Sequence, residues 1–250
     1  MKNIVKIRNV VFGEGIPKIC IPLTDANIEE LSKSVNELKS APFDMVEWRA
    51  DFFNDIEAPQ NRFQAMSFLR EQLGNTPILF TARTSVEGGK LDIDTEGHVK
   101  LLTSVIDTGL MDLVDVELSR GEDAMKTIRD AAHKAGMHII GSLHDFASTP
   151  SKERIVYHLC QMQKLGADIV KYAVTPQCAR DVLTLLDATL TMQEEHNETP
   201  VITMSMGGQG AVSRVCGSVF GSSITFGTAG NSSAPGQLPA DLLSTFINNL

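Results

Sequence analysis

Eight short apolar runs, each followed by a longer segment of helical character, dominate this sequence and limit the folds open to it. The runs are rich in β-branched residues and are typical of strands: PKICIPL, FDMVEWR, PILFTAR, LVDVEL, HIIGSLHD, DIVKYAV, PVITMSM and SSITF. Nearly continuous apolar strands joined by crossover helices indicate a parallel sheet covered by helices. Eight such units predict closure into a single α/β domain, a (β/α)₈ barrel. A doubly wound open sheet is the alternative architecture.

The segments between the strands have the periodicity and punctuation of amphipathic helices. Apolar residues recur at helical spacing, for example at Ile28, Leu31, Val35 and Leu38. Glycines follow several of the periodic runs, as expected at helix ends. Thr149 and Thr175, each followed by proline, are predicted N-caps.

The first residues of the chain precede the first barrel strand. Residues 3–14 contain two short strand-like runs, so we expect residues 1–14 to include a β-hairpin that closes the bottom of the barrel. The 250 residues match the size of one barrel, and no linker or low-complexity segment interrupts them. The sequence therefore predicts a single domain over residues 1–250.

Charge and composition narrow the classes of partner. A formal net charge of −9 with scattered Lys and Arg argues against nucleic acid or an anionic membrane surface. The N-terminus lacks the apolar core of a signal peptide and no run is long enough to span a bilayer, so we expect a cytoplasmic protein. The cysteines, Cys20, Cys160, Cys178 and Cys216, lack metal-ligand or disulfide spacing and are expected to be reduced and mostly buried.

Lys171 is the strongest indication of chemistry. It places an ammonium in the buried run DIVKYAV, and an unpaired buried charge is strongly unfavourable. One interpretation is a structural ion pair with Asp115 or Glu117 from a neighbouring strand. The other is a desolvated lysine that is neutral and can attack a carbonyl.

Two further residues could act with Lys171. In a parallel barrel the C-terminal strand ends face one pocket, and His144 ends the strand next to that of Lys171. Imidazole titrates near neutral pH, which suits a general acid and base, although a strand histidine is often only a hydrogen-bonded core residue. Glu87 could orient the imidazole, or it could be a solvated loop residue.

The same end of the barrel collects arginines and a polar loop. Arg49, Arg83 and Arg214 are suited to a small, oxygen-rich anion, although Arg49 could instead pair with Glu47. The segment GTAGNSSAPGQL has the composition of a mobile loop, from which Ser233 and Gln237 could contact a ligand. An ordinary surface loop is the alternative.

Across essentially its whole length, the chain resembles type I 3-dehydroquinate dehydratase, the Schiff-base hydro-lyase of the shikimate pathway. The motifs are EWRAD at residues 47–51, TART and EGG within residues 81–89, SLHDF at 142–146, DIVKYA at 168–173, MSMGGQGAVSR at 204–214 and SAPGQL at 233–238. Pro22 departs from the resemblance, since we expect a serine lining the site there.

The resemblance implies a role for each candidate residue. Lys171 would form the Schiff base, His144 would be the general acid and base, and Glu87 would orient it. The implied substrate contacts are Glu47, Arg49 and Arg83 to ring hydroxyls, Arg214 and Gln237 to the carboxylate, Ser233 from the lid, and Met204 and Met206 as the apolar wall. It also implies dehydration of 3-dehydroquinate to 3-dehydroshikimate for aromatic amino acid biosynthesis, a homodimer, and no metal or organic cofactor.

Two other functions fit parts of the pattern. A class I aldolase would also use a barrel lysine, but it often needs a phosphate-binding loop, and the arginines here favour a carboxylate. A catalytically silent sugar-acid-binding paralogue need not keep Lys171, His144 and Glu87 together. The sequence therefore favours the dehydratase.

Overall fold

Eight parallel strands form the centre of the protein in a computed structural model that describes residues 4–230 and 233–250. Two short strands precede the barrel and one follows it. The strands are β1 Val5–Ile7, β2 Val10–Phe12, β3 Lys18–Leu23, β4 Met45–Arg49, β5 Ile78–Thr81, β6 Leu113–Glu117, β7 His138–Asp145, β8 Ile169–Val174, β9 Val201–Ser205, β10 Ile224–Thr228 and β11 Leu238–Pro239. The helices are α1 Ile28–Leu38, α2 Pro59–Leu73, α3 Thr95–Ile106, α4 Glu122–Lys134, α5 Lys152–Lys164, α6 Ala179–Glu195, α7 Val212–Val215, α8 Gly217–Phe220 and α9 Ala240–Ile247.

The sheet curls into a barrel. Strands β3 to β9 pair in chain order, each parallel to the next, and β10 returns to pair with β3. The gap between β9 and β10 is bridged where the Ser223 amide donates to the Val201 carbonyl at 2.7 Å. Every barrel strand is followed by helix, two short ones in the case of β9. The predicted (β/α)₈, or TIM-barrel, fold is confirmed, and the open-sheet alternative is wrong.

The hairpin predicted at the N-terminus is also present. Strands β1 and β2 pair antiparallel, and their side chains Ile7 and Phe12 pack into the apolar cluster inside the barrel. At the bottom, that cluster consists of residues from the N-terminal halves of the strands, such as Cys20 and Met45, and toward the top it continues through Met204. The hairpin therefore closes the bottom of the barrel, while residues 1–3 lie outside the described residues.

Strand alternation separates the two cores and creates the site. In β6, Val114 and Val116 face the outer core between strands and helices, whereas Leu113 joins the inner core. Because alternate residues share a face, Asp115 and Glu117 follow Leu113 on the inward face, closer to the C-terminal end. The barrel interior is thus apolar at the bottom and charged toward the top.

Some local predictions fail. Helix α5 starts after Ser151, whose hydroxyl accepts from the Arg154 amide, and α6 starts after Cys178, so Thr149 and Thr175 are not the N-caps. The residue before a proline is biased away from helical geometry, which places these Thr-Pro pairs in the loops. All four cysteines are free, but only Cys20 is buried, since Cys160 and Cys216 are half-buried and Cys178 is exposed; the prediction of mostly buried thiols is therefore wrong. No helix in the described ranges is both long and apolar enough to cross a membrane.

Candidate active site

A cavity of about 180 Å³ opens at the C-terminal ends of the barrel strands. Every residue predicted for the site lines it, so the structure brings the whole set together. The lining residues are Glu47, Arg49, Arg83, Glu87, Gly88, His144, Phe146, Lys171, Ala173, Met204, Met206, Arg214, Phe226, Ser233, Ala234, Pro235 and Gln237.

Lys171 lies on the inward face of β8 and is buried. Its Nζ atom lies 3.7 Å from a carboxylate oxygen of Glu47 and 3.7 Å from one of Asp115. It also lies 4.6 Å from the centroid of the Phe226 ring. The ion pair considered from sequence therefore exists with Asp115 but not with Glu117. At these separations the amine is held in place by charge without a tight hydrogen bond to either carboxylate.

His144 lies on the neighbouring strand β7, where it is paired in register with Ala173. Its Nδ1 atom lies 2.8 Å from Oε2 of Glu87. Burial, and then the positive charges of Arg83, Lys171 and Arg49, hold the pKa of His144 well below its ordinary value. The imidazole is therefore neutral at neutral pH and able to accept a proton.

Glu87 reaches His144 from a one-turn 3₁₀ helix, Ser85–Glu87, after β5. The loop turns back tightly at the two following glycines. A Cβ atom on Gly89 would lie 2.0 Å from the Arg83 carbonyl oxygen, and Gly88 has a φ of +75°. Both positions therefore require glycine. Burial raises the pKa of the Glu87 carboxyl to about 7, even though Arg83 opposes the shift.

Arg83 is the centre of a buried network. Its Nη2 atom donates to Asp115 at 2.8 Å, and Nη1 donates to Glu117 and to the Ser142 hydroxyl, each at 3.0 Å. Glu117 also accepts from the backbone and hydroxyl of Thr84. Glu117 thus pairs with Arg83 and with Arg120, which explains why it does not pair with Lys171. The network fixes the guanidinium at the cavity wall.

Arg49 and Glu47 have different partners from those considered from sequence. Arg49 forms a bidentate pair with Asp51, with both nitrogen–oxygen distances 2.8 Å. Glu47 instead accepts from the Thr81 hydroxyl at 2.8 Å and faces Lys171. The Arg49–Glu47 ion pair considered from sequence is therefore wrong. Residues two apart on a strand share a face, but Asp51 offers the better bidentate geometry just beyond the strand.

Arg214 is a buried cation beside the loop after β10. Burial lowers its pKa to about 10. Nη2 donates to the Pro235 carbonyl at 3.2 Å, and Nε has no hydrogen-bond partner among the described residues. A buried guanidinium with a free N–H donor is suited to bind the carboxylate of a ligand. Met204 lies against it, with Sδ 3.9 Å from Nη1.

The loop after β10 is folded over the cavity. The Gly207 amide donates to the Pro235 carbonyl at 3.1 Å, so the loop contacts the end of β9. Within the loop, the Gln237 side chain accepts from the Ser233 amide and donates to its hydroxyl. Ser233 and Gln237 therefore reach the cavity as one unit. Asn231 and Ser232 of the predicted mobile segment lie outside the described residues.

Several residues around the site were not selected from sequence. Phe226, Phe146 and Pro235 line the cavity, and Ser142 and Asp51 support the arginines. Strand parity could have indicated Phe226, since it follows the inward Ile224 by two residues. By contrast, the cavity lining does not include Pro22, the position of the expected serine.

Among residues 4–230 and 233–250, no group of three or more His, Cys, Asp and Glu side chains is placed to hold a metal ion. The polar groups of the cavity are cations, carboxylates and one neutral imidazole around a buried amine. This arrangement can bind a small anion, attack a carbonyl and move a proton.

Comparison with protein families agrees with this chemistry. Residues 19–250 match the family model described as type I 3-dehydroquinase. The chain is 46% identical over 246 residues to a 3-dehydroquinate dehydratase from Syntrophotalea carbinolica, covering 98% of this chain and 97% of that protein. It is 44% identical to one from Clostridioides difficile, covering 100% and 98%.

Solved structures have the same fold. A crystal structure of type I 3-dehydroquinate dehydratase from Clostridium difficile, with covalently modified comenic acid, superimposes with a TM-score of 0.96 at 44% identity, covering 100% of this chain and 98% of that chain. A 3-dehydroquinate dehydratase from Geobacillus kaustophilus gives a TM-score of 0.95 at 36% identity, covering 99% and 96%.

Proposed function

Because this chain belongs to the type I 3-dehydroquinase family, we propose that it is a lyase that dehydrates 3-dehydroquinate to 3-dehydroshikimate through a Schiff base on Lys171. One observation carries this proposal. A buried lysine amine and a neutral histidine, itself bonded to Glu87 at 2.8 Å, line the same small cavity. These are the groups needed to form an iminium and to remove the proton beside it.

Substrate binding follows from the charges of the cavity. Arg214 has a donor without a partner among the described residues, and we assign it to the substrate carboxylate together with Gln237. We assign Glu47, Arg49 and Arg83 to the ring hydroxyls, since they line the same cavity with polar side chains. Met204 and Met206 provide an apolar surface, and Ser233 closes the cavity from the loop.

The reaction begins when the neutral amine of Lys171 attacks the C3 ketone, and loss of water gives an iminium. The iminium withdraws electrons and acidifies the C2 proton, which Nε2 of His144 removes. The enamine then expels the C1 hydroxyl, which leaves as water with the proton from His144. Hydrolysis of the imine releases 3-dehydroshikimate and regenerates the lysine. The iminium is the electron sink, so the proposed reaction requires no metal or organic cofactor.

Two carboxylates face the amine of Lys171. Glu47 and Asp115 each lie 3.7 Å from Nζ, and an ammonium at this position must lose a proton before it can attack the ketone. His144 lies on the adjacent strand and is neutral, and we assign it as the base that takes this proton. It returns the proton to the carbinolamine hydroxyl, which leaves as water, and is neutral again when it removes the C2 proton. The carboxylates then stabilise the iminium cation that replaces the ammonium at the same position.

A turnover assay tests the proposal. The purified chain is mixed with 3-dehydroquinate, and formation of the conjugated product is followed by ultraviolet absorbance. We expect an absorbance increase, whereas a class I aldolase would give carbon–carbon cleavage products instead. A sugar-acid-binding paralogue would bind the substrate without turnover, and either of these results would contradict the proposal.

We further propose that residues 1–250 form one domain that acts in the cytoplasm as a homodimer, in the shikimate pathway. Two apolar clusters run around the whole barrel, which supports one folding unit. The remaining points rest on the family. Sedimentation analysis tests the dimer, and a species of monomer mass at working concentration would contradict it.

A further inference from the structure

Ser119 contacts the Glu87–His144 pair from outside the cavity. Its hydroxyl lies 2.5 Å from Oε1 of Glu87, and Oε2 of the same carboxylate lies 2.8 Å from Nδ1 of His144. The three side chains form a continuous chain of hydrogen bonds. Ser119 is not part of the cavity lining, so it cannot act on substrate directly.

We propose that Ser119 is a positioning residue that keeps Glu87 a hydrogen-bond acceptor toward His144 and so leaves the basic lone pair on Nε2. The serine has one hydroxyl proton, and the bond to Oε1 uses it. A bond donated to a carboxylate stabilises its ionised form. This inference rests on the proposed function, because it concerns the base of that reaction.

The tautomer of His144 decides whether it can act as a base. When Glu87 is ionised, it accepts from Nδ1–H, and Nε2 carries the lone pair that takes the C2 proton. When Glu87 is protonated, its O–H donates to Nδ1, and the ring proton moves to Nε2. In that state Nε2 can donate a proton but cannot remove one. Elimination therefore cannot start until Glu87 loses its proton.

The surroundings of Glu87 make the balance between its ionised and protonated forms sensitive to a single hydrogen bond. Its pKa is raised to about 7 as the net result of burial, Glu117 and Asp115, which raise it, and of Arg83 and the Ser119 hydrogen bond, which lower it. Besides Glu87, the charged groups that face His144 are Arg83, Lys171 and Arg49, and these three oppose its protonation. Near neutral pH a single donor can thus determine whether Glu87 is ionised.

The position of Ser119 suggests that its hydroxyl is dispensable for folding. Ser119 is exposed, in the one-turn 3₁₀ helix Leu118–Arg120 after β6. Other contacts hold this segment: the Gly121 amide donates to the Leu118 carbonyl at 3.0 Å, and Arg120 donates to the Ile93 carbonyl at 3.0 Å. We expect Ser119→Ala to fold like the unmodified protein.

The pH dependence of kcat/KM tests the role. In Ser119→Ala we expect the acid limb to move up by about one pH unit, with an activity loss of about tenfold below neutral pH. The loss should disappear in alkaline solution, where Glu87 is ionised in both proteins. Ser119→Thr keeps the hydroxyl and should restore the limb, and Ser40→Ala, which removes an exposed hydroxyl at the opposite end of the barrel, should change nothing.

An acid limb that does not move in Ser119→Ala, or a loss of equal size at every pH, would overturn the inference. So would a Ser119→Thr variant that follows the alanine profile. Failure of the proposed function is distinguishable, because it would appear as absence of turnover in the unmodified protein.

A second measurement does not depend on turnover. Nitrogen-15 NMR of the histidine side chains distinguishes Nδ1–H from Nε2–H, and His144→Ala identifies the signal of His144. At neutral pH we expect more Nε2–H tautomer in Ser119→Ala than in the unmodified protein. Equal tautomer populations in the two proteins would contradict the positioning role.

Discussion

The Nζ atom of Lys171 lies 3.7 Å from Oδ2 of Asp115, and that same oxygen accepts a hydrogen bond of 2.8 Å from Arg83. One carboxylate thus joins the reactive amine to the buried arginine network. Its other oxygen accepts from the Ser142 hydroxyl. Although burial opposes the shift, Arg83 and Lys171 lower the pKa of Asp115 below its ordinary value.

Asp115→Asn should destabilise the protein by about 3–5 kcal/mol, because it keeps the volume but leaves two buried cations with one anion fewer. Urea unfolding monitored by circular dichroism measures this as a lower midpoint with an unchanged slope. Asp107→Asn, at an exposed position after α3, is the matched control and should lie within about 0.5 kcal/mol of the unmodified protein. An Asp115→Asn variant as stable as this control would show that the shared oxygen is not important for stability.

The barrel and much of its site could be predicted because both follow from the pattern of apolar and polar residues along short segments of the sequence. Strand periodicity determines which residues face inward, and all parallel strands end at the same rim. The sequence therefore predicts that Lys171 and His144 face one cavity. The charge of Lys171 within an apolar strand was visible from sequence alone.

What could not be predicted depends on loop geometry. Arg49 pairs with Asp51 rather than Glu47, because the chain turns into a 3₁₀ helix directly after β4. Glu87 and Ser119 each lie in a 3₁₀ turn, the first after β5 and the second after β6. Their contact joins residues that are 32 positions apart in the sequence. No periodicity determines contacts of this kind.

The raised pKa of Glu87 predicts the direction in which the free energy of unfolding changes with pH. Between the ordinary value of 4.5 and about 7, the folded protein holds a proton that the unfolded chain has released. The contribution of Glu87 to the free energy of unfolding is therefore fully present below pH 4.5, and it is lost as the pH rises through about 7.

Comparison with Glu87→Gln isolates this term, since glutamine does not titrate and the other titratable groups are common to both proteins. The free energy of unfolding of the unmodified protein, minus that of the variant, should fall as the pH rises through this range and then level off. Urea unfolding at a series of pH values measures the difference. A difference that rises with pH would mean that the pKa of Glu87 is lowered instead.

Arg214→Ala should raise KM strongly, by about ten- to a hundredfold, because a lost charge-assisted hydrogen bond is worth about 1.5–3 kcal/mol. The variant also loses the contact from Arg214 to the Pro235 carbonyl of the covering loop. Steady-state kinetics with 3-dehydroquinate measure the effect. Arg180→Ala removes an exposed arginine from α6 and is the control. Should KM be the same in both variants, Arg214 does not bind the carboxylate.

Substitutions of Lys171 and His144 separate the two central roles. Lys171→Ala should abolish both turnover and trapping of substrate by borohydride, because no amine remains to form the iminium that borohydride reduces. In His144→Ala the lysine is retained beside Glu47 and Asp115, so a covalent adduct should still form and be trapped, although more slowly. Elimination should stall in this variant, because neither a base for the C2 proton nor an acid for the departing hydroxyl is present. Mass spectrometry of the reduced peptides identifies the modified residue, and turnover is measured on the same samples. The assignment of roles is wrong if borohydride labels a lysine other than Lys171, or if His144→Ala turns over near the unmodified rate.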